Sequence, residues 1–310
     1  MDEELTREGL LELMPELEGS EVVIEELKGG ITNRLYRVRS SKGQDLVVRL
    51  YGEKTELFID RDVEVENLKL IASTGITPRL IKYLPDQRVT VVEFIPGYVL
   101  KNEDFLREDL WEEIVRSIRT IHQSGVTLPF VFDPLVQVRR LYRILQGIDA
   151  SYWEFEFEKT ISSLEKISNH ARITPAQYVS CHNDLLADNF ILGQKRDESG
   201  RSIYVIDWEY AGMSTPYYDL ADMFQEILVP RETEARILDL YWQGANTDHH
   251  IYMTDLFKPF PDIYWFLWSL IQSRVSKIDF DFYSYGKAKY DNAQKNIRYL
   301  RERYGLSLPS

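Results

Sequence analysis

The stretch "VSCHNDLLADNFILG", from Val179 to Gly193, crowds His182, Asn183, Asp184, Asp188 and Asn189 between two apolar runs, and a little further on the β-prone run "IYVI" ends at Asp207. Phosphoryl transfer calls for such a set. One carboxylate accepts or orients the proton of an attacking hydroxyl, while an amide oxygen and a second carboxylate hold the magnesium ion that neutralises nucleotide phosphates. Asp184 suits the first task, and Asn189 and Asp207 the second. Any one of them alone reads more simply as a turn or helix-capping residue. What singles out the chemistry is their order: four residues between Asp184 and Asn189, then an apolar strand, then Asp207. His182 joins this catalytic set in a structural part, hydrogen-bonding backbone carbonyls to hold the loop.

Such groups need a scaffold. An amphipathic helix is predicted over residues 4–17, and "EVVIEELKGGITNRLYRVRS" then places two β-prone runs around Gly29-Gly30, with a third in "DLVVRLY". A helix in "DRDVEVENLKLIASTG" interrupts two further strands, "RLIKYLP" and "RVTVVEFIPG", and Pro96-Gly97 closes the last of them. The division is therefore placed at residues 1–96, a small antiparallel-sheet lobe that binds nucleotide, and 97–310, a mostly helical lobe that carries catalysis and substrate binding. In the second part, "DLWEEIVRSIRTIHQSG" and "YWEFEFEKTISSLEKISNHA" have helical periodicity, while "NFILG" and "SIYVIDWEY" suit a hairpin joined by "QKRDESGR". The fold class is α+β, in two lobes.

The first lobe supplies what a nucleotide needs. Gly29-Gly30 lets the backbone approach phosphates closely, and Thr32 and Asn33 add donors, although a Gly-Gly turn is more often a plain hairpin. The spacing of Asp184 and Asn189 matches the catalytic-loop pattern of protein kinases. In "VVRLYG", Arg49 then stands where that fold has its strand lysine, and a guanidinium can grip phosphate oxygens while pairing with a helix carboxylate. Glu64 is the expected partner and Glu66 the competitor. The backbone from Glu93 to Ile95, between the lobes, is expected to meet the adenine.

Composition bounds the rest. The 310 residues are 44% hydrophobic and 28% charged, enough for a two-lobed globular unit. A formal charge of −13 disfavours nucleic acid and favours a cationic small molecule. The single cysteine, Cys181, allows no intrachain disulfide and fits a reducing compartment. The acidic start lacks a signal-peptide pattern and no apolar run is long enough for membrane insertion, so the cytoplasm is expected. His122, at the end of a helix, reads as a packed or capping histidine, and His249-His250 as solvent-facing.

The stretches "GGITNRLYRV", "VVRLYGEKTELFIDRDVEV", "HNDLLADNFIL", "VIDWEYAG", "YYDLADMFQE" and "WFLWSLIQSRVSKIDFDFYSYGKAKYDN" resemble the choline/ethanolamine kinase family, over residues 28–292. "RLYGEKTEL" with "DRD" is most similar to the ethanolamine kinase branch. The resemblance implies the two-lobed kinase fold shared with aminoglycoside phosphotransferases, ATP and magnesium as cofactors, and phosphorylation of the hydroxyl of ethanolamine or choline. It implies Asp184 as base, Asn189 and Asp207 as magnesium ligands, Arg49 with Glu64 as the phosphate-anchoring pair, and supporting parts for Glu209 and Asp219. Glu226 matches an acidic residue of the amino-alcohol pocket, and Trp265, Trp268 and Tyr285 its aromatic walls. Leu186 departs from members with a polar residue there. Relatives in the family often pair, so a homodimer is an expected assembly.

The residues allow the same pocket independently. Trp265 and Trp268, three apart on a helix, share one face. Aromatic faces attract an ammonium, and a carboxylate such as Glu226 accepts hydrogen bonds from a primary one. An aromatic stripe is otherwise core. The rival readings are a kinase of another cationic molecule such as an aminoglycoside or thiamine, a protein kinase, and a nucleotide-binding scaffold without catalysis.

Overall fold

Alternating β-branched residues in the first hundred positions build an antiparallel sheet, and the structure, a computed structural model, describes residues 5–27, 33–52, 55–149, 151–152, 154–194, 196, 200 and 202–309. The first helix, α1 (Arg7–Leu13), is capped by the Thr6 hydroxyl, which accepts from the Gly9 amide at 3.1 Å. It is shorter than the expected 4–17 because Pro15 starts a separate 3₁₀ turn, Pro15–Leu17. Strands β1 (Val22–Leu27), β2 (Asn33–Ser40) and β3 (Asp45–Tyr51) form a meander. Helix α2 (Arg61–Ala72), capped by Asp60, precedes β4 (Leu80–Leu84) and β5 (Val89–Glu93). The order is β1-β2-β3-β5-β4, antiparallel throughout. Leu10, Met14 and Leu17 are buried against Tyr36, Val38, Val48 and Val91 on one face of this sheet.

Past the sheet, β6 (Gly97–Val99) pairs with β8 (Phe190–Gly193), and β8 with β9 (Ile203–Val205). The expected hairpin is therefore the core of a three-stranded sheet. β6 approaches so closely that a Cβ on Gly97 would sit 2.5 Å from the Leu192 carbonyl. A two-stranded ribbon joins β7 (Val179–Cys181) to β10 (Gly212–Ser214). These short strands carry the polar loops. Around them pack α3 (Glu108–His122), α4 (Pro134–Ile148), α5 (Phe157–Ala171), α6 (Pro216–Ile227), α7 (Arg231–Trp242), α8 (Thr247–Phe257), α9 (Pro259–Val275) and α10 (Phe282–Tyr304). Among the described residues, no helix is long and apolar enough to cross a membrane.

α9 is enclosed on all sides, and residues 259–272 are all buried. It is the centre of the larger core, with α4 and α10 against it. His122, the last residue of α3, is packed as expected, whereas His250 corrects the expectation of a solvent-facing pair. Its ring stacks on Trp242 at 3.7 Å and hydrogen-bonds the Tyr217 hydroxyl at 2.8 Å, while His249 is exposed.

α10 reaches α9 through Gly286. A Cβ there would lie 1.8 Å from Ser269 Oγ and 3.3 Å from the Phe266 carbonyl. The hydroxyl can rotate away, but the carbonyl is fixed. Gly286→Val should lower unfolding stability by about 1–3 kcal/mol, the usual cost of overpacking. Denaturant unfolding checks it, and an unchanged midpoint would mean that α10 can slide outward freely.

Candidate active site

Two ion-rich clusters face each other where the five-stranded sheet meets the helices. The first is built on Arg49, in β3. Its side chain points to α2, where Nη1 lies 2.7 Å from Glu64 Oε1, and to the loop after β9, where Nη2 lies 2.9 Å from Asp207 Oδ1 and also meets Glu209. Glu64 is thus the helix partner. Glu66 is exposed and faces Lys69 at 3.7 Å. A second guanidinium, Arg61, bonds Glu64 at 2.6 Å and Glu209 at 2.9 Å, with its plane 4.1 Å from the centre of the Tyr51 ring. Asn33 closes the cluster, its carboxamide oxygen accepting from Arg49 Nε at 3.1 Å in the orientation that satisfies both groups. Burial opposes the charge on Arg49, but Asp207, Glu64 and Glu209 together raise its pKa well above the ordinary value. The ligand oxygens of Glu64, Asp207 and Glu209 lie within 4.8 Å of one another. Asp207 and Glu209 offer hard oxygen donors that fit a magnesium ion, whereas both oxygens of Glu64 are taken by Arg49 and Arg61.

The second cluster is the loop between β7 and β8. Asn189 donates through Nδ2 to the Asp184 carbonyl at 2.8 Å, and its own carbonyl accepts from the Ile206 amide at 3.0 Å. Asn189 and Asp207 are thereby held side by side. The loop turns through positive φ at Asn183 (64°), as does the chain at Asp207 (68°), and Asn183 Nδ2 donates to the Tyr210 carbonyl at 3.0 Å. His182 Nε2 donates to the Ile206 carbonyl at 2.9 Å, the backbone-holding part expected of it, and burial keeps the ring below the ordinary histidine pKa.

One face of α6 supports this loop with three carboxylates, Asp219, Asp222 and Glu226, at helical spacing. Asp219 accepts from the amides of His182 at 2.9 Å and Asn183 at 2.5 Å, and from His122 Nε2 at 2.8 Å; the other ring nitrogen of His122 meets the Tyr241 hydroxyl at 2.6 Å. Asp222 accepts from the Leu185 amide and from the indole of Trp265, both at 2.8 Å. Burial, then the charges of Asp222 and Asp207, push the Asp184 carboxyl well above the ordinary carboxylate range. Leu186 is half-buried, its amide on the Asp184 carbonyl at 3.0 Å.

Trp265 and Trp268 lie on α9 within the larger core, and Tyr285 packs against that core from α10. Trp265 and Trp268 meet edge to face at 5.8 Å, with Tyr210 against Trp265 at 5.1 Å and Tyr285 half-buried on α10. Glu226 is not alone. Lys289, buried on α10, places Nζ 2.5 Å from its carboxylate, 3.2 Å from the Gln225 carbonyl and 5.6 Å from the centre of the Tyr285 ring. The expected ammonium subsite therefore holds a cation of the chain itself.

Gly29, Gly30 and Thr32 lie outside the described residues. At the end of β5, the Glu93 amide donates to the Arg79 carbonyl at 2.9 Å and the Phe94 amide to Asp45 at 3.0 Å. Both donors are thus committed within the sheet, so an adenine meeting the backbone from Glu93 to Ile95 would use the Glu93 carbonyl or Ile95. Arg61, Asp222 and Lys289 were not singled out in the sequence. Asp222 had a signal, lying one helical turn beyond Asp219 on the face that carries Glu226.

Comparison with known proteins places this arrangement in a class. The choline kinase LicA from Streptococcus pneumoniae superposes with a TM-score of 0.76 at 25% identity, covering 93% of this chain and 97% of that one. An aminoglycoside 2′-phosphotransferase, 16% identical, shares the fold at 0.62 over 93% of this chain and 96% of its own. The fold is the kinase-like fold of small-molecule phosphotransferases. The profile of the choline/ethanolamine kinase family matches residues 24–251, and the chain belongs to that family. Human ethanolamine kinase 2 is 29% identical over 307 residues, 90% of this chain and 77% of that protein, and a probable choline kinase 1 of Arabidopsis thaliana is 26% identical over 316 residues, 90% and 88%.

Arg49→Met leaves Glu64, Asp207 and Glu209 with Arg61 as the remaining cation described beside them. Breaking such a buried set should cost about 3–5 kcal/mol of folding stability. Urea unfolding reads the loss, and a change below about 1 kcal/mol would class the cluster with solvated surface pairs.

Proposed function

We propose that this chain transfers the γ-phosphoryl group of ATP to the hydroxyl of a small amino alcohol, ethanolamine or choline, releasing ADP. One observation carries the reading: the Asp184 loop, with Asn189 bonded to it and Asp207 beside Asn189, stands against the Arg49–Glu64 pair. Family membership supports amino alcohols as the class of acceptor. In this reading residues 1–96 hold the nucleotide, and residues 97–310 supply the base and the acceptor pocket.

Asp184 accepts or orients the hydroxyl proton as oxygen attacks in line. A carboxyl whose pKa burial and neighbouring charges have raised is a better proton acceptor once ionised than an ordinary one. Arg49 and Asn33 face the phosphates, and Glu64 keeps the guanidinium in place. Asn189 and Asp207, with Glu209 nearby, would hold magnesium, which supplies neutralisation of phosphate charge. His182 and Asp219 fix the loop, so that Asp184 needs no reorganisation at the moment of transfer. Trp265, Trp268 and Tyr285 present ring faces to the ammonium, and Glu226, shared with Lys289, adds negative charge.

A coupled ADP-release assay with ethanolamine, its N-methylated series, choline, an aminoglycoside and thiamine tests the reading. Turnover should rise with an amino alcohol and not with the other two. Asp184→Ala should lower turnover by about 10²–10⁴ if proton transfer or orientation is its role. A near-normal rate in that variant removes Asp184 from the mechanism, and stimulation by the aminoglycoside alone moves the chain to the other acceptor class.

A further inference from the structure

Asp222 is a carboxylate with no exposed surface, set among Asp184, Glu226 and Asp219. Burial, then the charge of Glu226, push its carboxyl well above the ordinary carboxylate range, so ionising it here is costly, and an uncharged side chain of the same shape is available in Asn. The two donors explain the carboxylate. Oδ2 accepts from the amide of Leu185, the residue after the base, and Oδ1 accepts from Nε1 of Trp265, in the aromatic wall. Both partners are N–H groups that can only donate, and they arrive on different oxygens. A carboxamide has one acceptor and one donor end, so Asn would face one of these N–H groups with another N–H. Only Asp satisfies both.

We infer that Asp222 is a positioning residue that locks the aromatic wall of the acceptor pocket to the catalytic loop, so that an acceptor resting against Trp265 is held in register with Asp184. The inference rests on the acceptor-pocket reading above. Three elements distant in sequence, α6, the loop after β7 and α9, meet at this one side chain. Asp219, a turn earlier, grips the same loop by two other amides but reaches no part of the aromatic wall in the described contacts. The loop thus has one anchor for its shape and a second that ties it to the pocket.

The test is a double-mutant cycle of Asp222→Asn and Trp265→Phe, read by kcat, by KM for the amino alcohol and for ATP, and by thermal melting. Asp222→Asn should lower kcat/KM for the amino alcohol about 10- to 100-fold, the loss expected when a buried donor is left facing a donor. KM for ATP should stay within about twofold, because the Arg49 cluster does not touch Asp222. Trp265→Phe keeps a ring and removes the indole N–H. In that background the Asn oxygen can serve Leu185 while its amide faces a hydrocarbon edge, so the double variant should regain several-fold over Asp222→Asn alone. Losses that multiply without recovery overturn the inference. Should Asp222→Asn not fold, recovery of a cooperative melt in the double variant carries the same conclusion, and absence of recovery the opposite one. If the wild-type chain turns over no amino alcohol, the acceptor reading fails, and the melting cycle still decides whether Asp222 couples the two N–H groups.

Discussion

Three carboxylates projecting from one face of α6 cannot be buried without donors, and the donors they find set the geometry of everything around them. Asp219 takes two amides of the loop before Asp184, Asp222 takes a third amide and an indole, and Glu226 takes an ammonium from α10. Each turn of one helix thus captures a different segment. The loop is held at the height of the first two turns, and the aromatic helices at the height of the last two. A helix is stiff, so these captures fix the distance between the loop and Trp265.

The same accounting explains the opposite wall. Glu64, Asp207 and Glu209 converge, and two guanidiniums from different elements, β3 and α2, interleave with them. Arginine serves here because its fork spans two carboxylates at once and remains charged when buried. The cluster also joins the sheet to the helical part of the chain, since Arg49 belongs to one and Asp207 to the other. A site built this way needs its charges for shape as well as for chemistry.

Local patterns were readable. Alternation predicted all five strands of the first sheet in their chain order, and the hairpin of β8 and β9 followed from two apolar runs around a polar turn. The Asp184, Asn189 and Asp207 set was legible because its members are close in sequence and their spacing is a backbone property. The Arg49–Glu64 pair was reached by position on strand and helix. Illegible were contacts whose partners lie far apart. Lys289 sits in "GKAKYDN", a polar segment of an amphipathic helix, and nothing local separates it from the exposed Lys287. Arg61 stands in the first turn of α2, and nothing local marks it as a partner of Glu209, far away in sequence. The break in the first helix was visible in principle, since Pro15 removes a donor in mid-pattern.

Lys289 shows why such misses matter for specificity. The proposed pocket, read from its carboxylate and rings alone, has a net charge that invites any small ammonium, but the buried lysine cancels part of that charge and lies over the Tyr285 ring. A primary ammonium can share Glu226 with Lys289, because a carboxylate offers more lone pairs than one ammonium uses. A quaternary ammonium cannot donate and must rely on the ring faces and the unscreened charge. In the proposed pocket the balance between those two modes turns on Glu226 being shared with Lys289, one turn of α10 beyond its close approach to α9 at Gly286.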